Sequence, residues 1–172
     1  KLILSSASGL LTQYHIVMQV YNSFNTLQGK VLTSPFIARY CSEKGPPNTG
    51  SMFLKISFYS LVFVLLLFLG DVVLDCFFRS YFEVYTGYID LAKMLIVYGV
   101  VVSFGQVVSA CFYIRSKYTT PIYISVINYT VSIPLRFFCF YEYGMTGLVI
   151  VISAYHFMNL MLMVIFLRRK SD

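Results

Sequence analysis

The sequence predicts an all-α, polytopic transmembrane helical bundle of about five spans, and three observations carry that expectation. Of the 172 residues, 58% are hydrophobic and only 12% charged, with a mean hydropathy of +0.74. A soluble domain of this length could not bury so much apolar surface. The apolar residues also fall in long runs, several near the ~20 residues that a bilayer requires. Finally, the net charge of +6 comes from Lys and Arg gathered at the ends of those runs. That placement orients helices in a lipid bilayer, and no nucleic-acid partner is expected.

Taken in order, residues 1–9 read as the end of a preceding span or a loop. The first span, residues 10–37, is unusually polar, carrying Gln13, His15, Gln19, Asn22, Asn25 and Gln28. Unpaired amides are costly in hydrocarbon, so this helix must face other helices or a wet cavity. His15 reads either as a hydrogen-bonded packing residue or as a proton relay. Residues 38–55 form a loop, broken at Gly45-Pro46-Pro47-Asn48 and bearing Arg39, Lys44 and Lys55.

The second span, residues 56–78, is the most lipid-like. It ends in Asp71, Asp75 and Arg79, which share one helix face at successive i, i+4 steps. They read as an ion pair at the membrane border or, through Asp71, as a cation or proton site. Residues 80–90 form an aromatic loop suited to an interface, with Tyr81, Phe82, Tyr85 and Tyr88.

The third span, residues 91–114, has Lys93 near its start and small residues along it (Gly99, Ser103, Gly105, Ser109, Ala110), which let a neighbouring helix approach closely. After the basic turn 115–118 comes the fourth span, residues 119–140. Pro121 is harmless in its first turn, whereas Pro134 is expected to kink it. Arg136, two residues on, either snorkels to the interface or points inward as a positive site for an anionic head group. Asn128-Tyr129-Thr130 matches a glycosylation acceptor but lies mid-span. Residues 141–144 make a tight turn into the fifth span, residues 145–167, which ends in Arg168-Arg169-Lys170.

Cys41, Cys76, Cys111 and Cys139 are far apart and form no C-x-x-C pair, so they read as free buried thiols, with no metal or cofactor implied. The 38–55 loop, the 115–118 turn and the tail together hold eight Lys and Arg; the opposite side holds Arg79. The positive-inside rule therefore places the basic side and the C-terminus in the cytoplasm. The opening Lys1-Leu2-Ile3-Leu4 lacks the layout of a signal peptide, and the chain reads as part of a longer protein.

Phe78-Arg79-Ser80-Tyr81-Phe82, residues 110–121 and Gly144-Met145-Thr146-Gly147-Leu148 together resemble segments of the MurJ/MviN lipid II flippases. Phe78-Arg79-Ser80-Tyr81-Phe82 is similar to their f-x-R-G-x-F element. Residues 110–121 resemble their hairpin of an FYA triplet, a small linker and a TP pair, with Asn128 matching the Asn that follows. Gly144-Met145-Thr146-Gly147-Leu148 looks like the G-x-x-G-L opening of a late helix that ends in a basic L-R-R-K. Ser80 replaces the expected glycine and Ile114 the expected alanine. O-antigen and polysaccharide flippases of the multidrug/oligosaccharidyl-lipid/polysaccharide (MOP) exporter superfamily share several of these motifs. The absence of two final helices favours that twelve-helix type.

The resemblance implies a C-terminal lobe that works with a missing N-terminal lobe of the same transporter. Together they would move an undecaprenyl-diphosphate-linked saccharide across an inner (plasma) membrane by alternating access, with no covalent chemistry. Gln13, His15, Gln19 and Asn22 are the candidates for lining the cavity, and Lys93 and Arg136 for contacting the head group. Other readings are a cation-coupled antiporter using Asp71 for the coupling ion, a non-transporting fragment or assembly subunit, and a membrane-embedded transferase.

Overall fold

A computed structural model of the chain describes residues 2–43, 49–77, 82–115 and 117–169, and side chains within 9–39, 50–73, 76, 87–115 and 117–167. Six α-helices carry it: α1 (Leu2–Gln28), α2 (Ser34–Glu43), α3 (Thr49–Phe77), α4 (Phe82–Met94), α5 (Ile96–Ile114) and α6 (Thr119–Arg169). The described residues contain no strand. Among the described residues, three stretches are long and apolar enough to cross a membrane: Gly50–Val73, Ile96–Ile114 and Thr119–Leu167.

Between α1 and α2 the chain stays helical through a π turn, Gly29–Thr33, in which the Ser34 amide donates to the Gly29 carbonyl. Pro35 explains the turn. Its ring crowds the preceding carbonyls and its nitrogen donates nothing, and a wider turn relieves the clash without ending the helix. The chain is thus helical from Leu2 to Glu43 and again from Thr49: of the two readings of residues 1–9, span end or loop, residues 2–9 follow the first, and the loop expected at 38–55 is helix at 38–43 and 49–55. The expected aromatic loop at 80–90 is likewise helix from Phe82. Aromatic side chains carry no helix-breaking chemistry, and α4 continues through Gly87 to Met94. The expected span 91–114 is interrupted at Leu95 (φ −84°, ψ 3°), separating α4 from α5.

The helix α6 is two antiparallel arms, 119–143 and 145–169, hinged at Gly144 with φ 60° and ψ −144°. Only glycine adopts that conformation at little cost. Tyr129 stacks edge-on to Tyr155, and Asn128 donates to Asn159 Oδ1 at 3.4 Å, which fixes the register of the hairpin. A Cβ on Gly147 would press on the Cys139 carbonyl and Tyr143, so the arms meet there backbone to backbone. Pro134 lies inside the first arm, where the backbone keeps helical dihedrals, and the break at Gly144 falls in the turn expected at 141–144.

Half of the α5 window is buried, against 17% for the windows in α3 and α6, so α5 is the central helix. On one side, Tyr98 packs in a cluster with Val17, Tyr21, Leu91, Leu95, Val149 and Ile152. Further along, Val108 and Phe112 meet Ile124 and Met163, and Val107 meets Met52 and Ile56. The turn after α5 is closed by the Lys117 amide donating to the Phe112 carbonyl at 2.9 Å, while Arg115 donates to the Leu167 carbonyl at 3.3 Å. The 115–118 turn and the C-terminal end of α6 therefore lie at the same end of the bundle. Outside the core, α3 presents Leu54, Phe58, Leu61, Leu65, Leu69 and Val72 as an exposed stripe at helical spacing. A continuous apolar face of this kind is stable against lipid and not against water. The molecule is a membrane-embedded helical protein.

Candidate functional site

The site begins with a polar seam between α1 and α5. Tyr21, 1% exposed, sets the edge of its ring against Gly99, where a Cβ would strike it, and its hydroxyl donates to the Ala92 carbonyl at 2.7 Å. One residue on, Asn22 Oδ1 accepts from the Tyr98 hydroxyl at 3.1 Å. A turn further, the buried pair Asn25 and Ser103 lie in hydrogen-bond contact at 3.1 Å, and Gln106 Nε2 donates to the Asn25 carbonyl at 3.0 Å. This seam is why so polar a helix can pack inside an apolar bundle: Tyr21 finds a partner on α4, and Asn22 and Asn25 find theirs on α5.

The matching is incomplete. Asn25 Nδ2, both polar atoms of Gln28, Thr33 Oγ1 and Gln106 Oε1 are buried without a hydrogen-bond partner. Each such atom costs about 1–3 kcal/mol in a folded interior, and here they concentrate around the π turn.

Beside that turn lies a cavity of about 390 Å³ between the π turn, α5 and the second arm of α6. Its polar wall is Thr33, Ser34, Gln106, Ser109, Tyr113, His156 and Asn159, and among the described residues no Asp, Glu, Lys or Arg lines it. Ser34 Oγ is turned back onto the Gly29 carbonyl at 3.1 Å. Ser109 Oγ has only a long contact, 3.6 Å, to Met163 Sδ. Asn159 Nδ2 donates to Ser125 Oγ at 3.1 Å, which holds the amide across the hairpin. His156 is clamped edge-on between the rings of Tyr98 and Tyr155, with centroids at 4.9 and 4.5 Å.

Next to His156 is a cation. The Arg136 guanidinium sits over the rings of Tyr129 and Tyr155, 5.0 and 5.2 Å from their centroids. Its Nε is buried without a hydrogen-bond partner, and its charge reaches Tyr14, Tyr98 and His156. Among the described residues no carboxylate pairs with it. Two π faces recover part of its desolvation cost, but they leave the guanidinium fork unused.

Of the residues singled out in sequence, Asn22 and Arg136 are brought to this region. Gln13 is half-buried against Gly87, close to where a Cβ there would sit, while His15 and Gln19 are exposed on α1. Lys93 and Asp71 are brought to each other: Lys93 Nζ lies 2.5 Å from Asp71 Oδ2, joining α4 to α3. The expected face of Asp71, Asp75 and Arg79 lies partly outside the described residues, since Arg79 and the Asp75 side chain are not described. Cys76 is exposed rather than buried, whereas Cys111 is buried as expected, and both are free thiols. Among the described residues no group of His, Cys, Asp and Glu is placed to hold a metal ion.

Gln106, His156 and Asn159 carry little sequence signal, because each is a lone polar residue in an apolar run. The spacing of His156 and Asn159, one turn apart on one face, is the hint available. No protein-family model matches the chain, and neither curated proteins nor solved structures show a match to it.

Proposed function

We propose that the chain forms one lobe of a flippase that carries a lipid-linked, undecaprenyl-diphosphate-type saccharide from the cytoplasmic to the outer leaflet of an inner (plasma) membrane by alternating access. The observation that supports this reading is the guanidinium of Arg136, set on two tyrosine faces with no carboxylate partner among the described residues. A permanent cation in a spanning helix is costly unless it meets an anion or marks a substrate path. Arginine, with its planar fork, is suited to grip a phosphate oxygen pair. A diphosphate crossing beside α6 would supply the missing partner.

In this reading α1 with α2, α3, α4 with α5, and the two arms of α6 are five spans, with the 115–118 turn and the C-terminus in the cytoplasm. An N-terminal lobe of the same transporter supplies the facing wall. The polar seam on α1 is the surface along which the lobes part, and the lipid tail stays in the bilayer while the head group crosses. A cation-coupled antiporter has less support, because it requires an available carboxylate at Asp71, and that group is engaged by Lys93.

The test is complementation with the full-length gene carrying Arg136→Gln or Arg136→Lys. The reading expects loss of export with Gln and partial activity with Lys, which keeps the charge and loses the fork. Full export with Arg136→Gln, in protein shown to reach the membrane, contradicts it.

A further inference from the structure

The cavity beside the π turn has a chemistry unlike that of Arg136. We propose that it is a subsite for an uncharged, hydroxyl-rich group, the first sugar of the lipid-linked substrate, adjoining the anion position at Arg136. The inference rests on the flippase reading above and goes further by assigning the two halves of the head group to two places.

The wall itself excludes the other classes of occupant. A metal cation needs carboxylate or comparable negative charge, and among the described residues no carboxylate lines the cavity. Arg136 nearby would oppose a cation further. An anion would find no Lys or Arg among the described residues of the wall. An apolar group would take water from the imidazole of His156 and from the hydroxyl of Ser109, which has only its long contact to Met163 Sδ, and would leave the remaining hydrogen-bonding capacity of the Asn159 amide unused beyond its bonds within the hairpin. What remains is a neutral molecule that both donates and accepts. Amides, hydroxyls and an imidazole are the groups that pair with vicinal hydroxyls. At 390 Å³ the space equals that of about a dozen water molecules at ~30 Å³ each, enough for a sugar ring with some solvent.

The two subsites are contiguous. His156 lines the cavity and packs on Tyr155, and Tyr155 lies beneath Arg136. A diphosphate at Arg136 therefore places its attached sugar against His156 and Asn159, which lie one helical turn apart on the second arm of α6. The orphaned atoms Thr33 Oγ1 and Gln106 Oε1 belong to residues of the same wall. A shift of the π turn would expose them to the sugar hydroxyls.

The experiment uses the full-length protein in lipid nanodiscs and three probes: a polyprenyl diphosphate, the same lipid carrying a neutral hexose or N-acetylhexosamine, and the corresponding monophosphate. Binding is measured by native mass spectrometry. At least one sugar-bearing lipid is expected to bind about tenfold tighter than the bare diphosphate, a difference of ~1.4 kcal/mol. Asn159→Ala is expected to remove that gain while leaving bare diphosphate binding in place, and Arg136→Gln to weaken both lipids. Since Asn159 also ties the hairpin, Ser109→Ala serves as a second variant that breaks only a long sulfur contact, and it is expected to reduce the gain. Equal binding of sugar-bearing and bare diphosphate overturns the sugar subsite and leaves the anion site standing. Failure of every diphosphate to bind overturns the flippase reading, and the subsite with it.

Discussion

At the scale of single residues, the seam between α1 and α5 works by contact distances that leave no slack. Gly99→Ala drives a methyl into the Tyr21 ring, which is held in place by its bond to the Ala92 carbonyl. Overpacking of this kind costs about 1–3 kcal/mol. Thermal unfolding in detergent should register it as a lowered midpoint, and an unchanged midpoint would mean that the ring can move aside. Asp71 and Lys93 allow a sharper comparison. Asp71→Lys leaves two cations facing each other, and adding Lys93→Asp restores an ion pair with reversed sense. Stability should fall in the single variant and recover in the double one. A coupling carboxylate would instead lose transport in both. Asn22, Asp71, Lys93 and Arg136 can be picked out from sequence because a polar or charged residue in an apolar run stands out. Their partners cannot be. Lys93 lies 22 positions from Asp71 and Tyr98 lies 76 from Asn22, and only the packing of separate helices joins them.

Among the elements, hydropathy marks out the apolar middles of the helices well and their ends poorly. The lipid-facing stripe of α3 and the spans around α5 and α6 follow directly from apolar runs. The expected loops at 38–55 and 80–90 are largely helix because charge and aromatic content signal an interface, and an interfacial segment can be helical as readily as extended. The π turn at Gly29–Thr33 is legible in hindsight from Pro35, whose backbone demands are local. Gly144 shows the converse: a glycine amid aromatic residues gives a turn signal, and the turn is where the sequence places it. Gly144→Ala forces a side chain onto a backbone at φ 60°, ψ −144°, a strain of about 1–3 kcal/mol. Gly147→Ala places a methyl against the Cys139 carbonyl. Both variants should lower the unfolding midpoint. If Gly144→Ala is as stable as the parent, the hairpin does not depend on that turn.

For the whole molecule, the apolar exterior, set around a core that buries a polar seam, departs from the pattern of a soluble domain, and membrane insertion follows from that exterior. Orientation is a separate matter. The basic turn at 115–118 and the end of α6 share one side of the bundle, so one reporter fixes both. In intact cells, Lys117→Cys should resist a membrane-impermeant thiol reagent until the membrane is opened, whereas Tyr141→Cys, at the other end of the first α6 arm and 86% exposed, should label at once. The reverse result would invert the topology and the direction of transport.

The central claim is that a lipid-linked diphosphate crosses the membrane against this lobe by way of Arg136. Its most direct measurement is leaflet exchange in proteoliposomes: full-length protein, a fluorescent polyprenyl-diphosphate saccharide, and a membrane-impermeant quencher outside. The account expects the parent to expose inner-leaflet lipid far faster than protein-free vesicles. Arg136→Gln should slow this by about tenfold or more, the loss of one charge-assisted grip worth ~1.5–3 kcal/mol. Exchange that is no faster than in empty vesicles, or that is unchanged by Arg136→Gln, would contradict it.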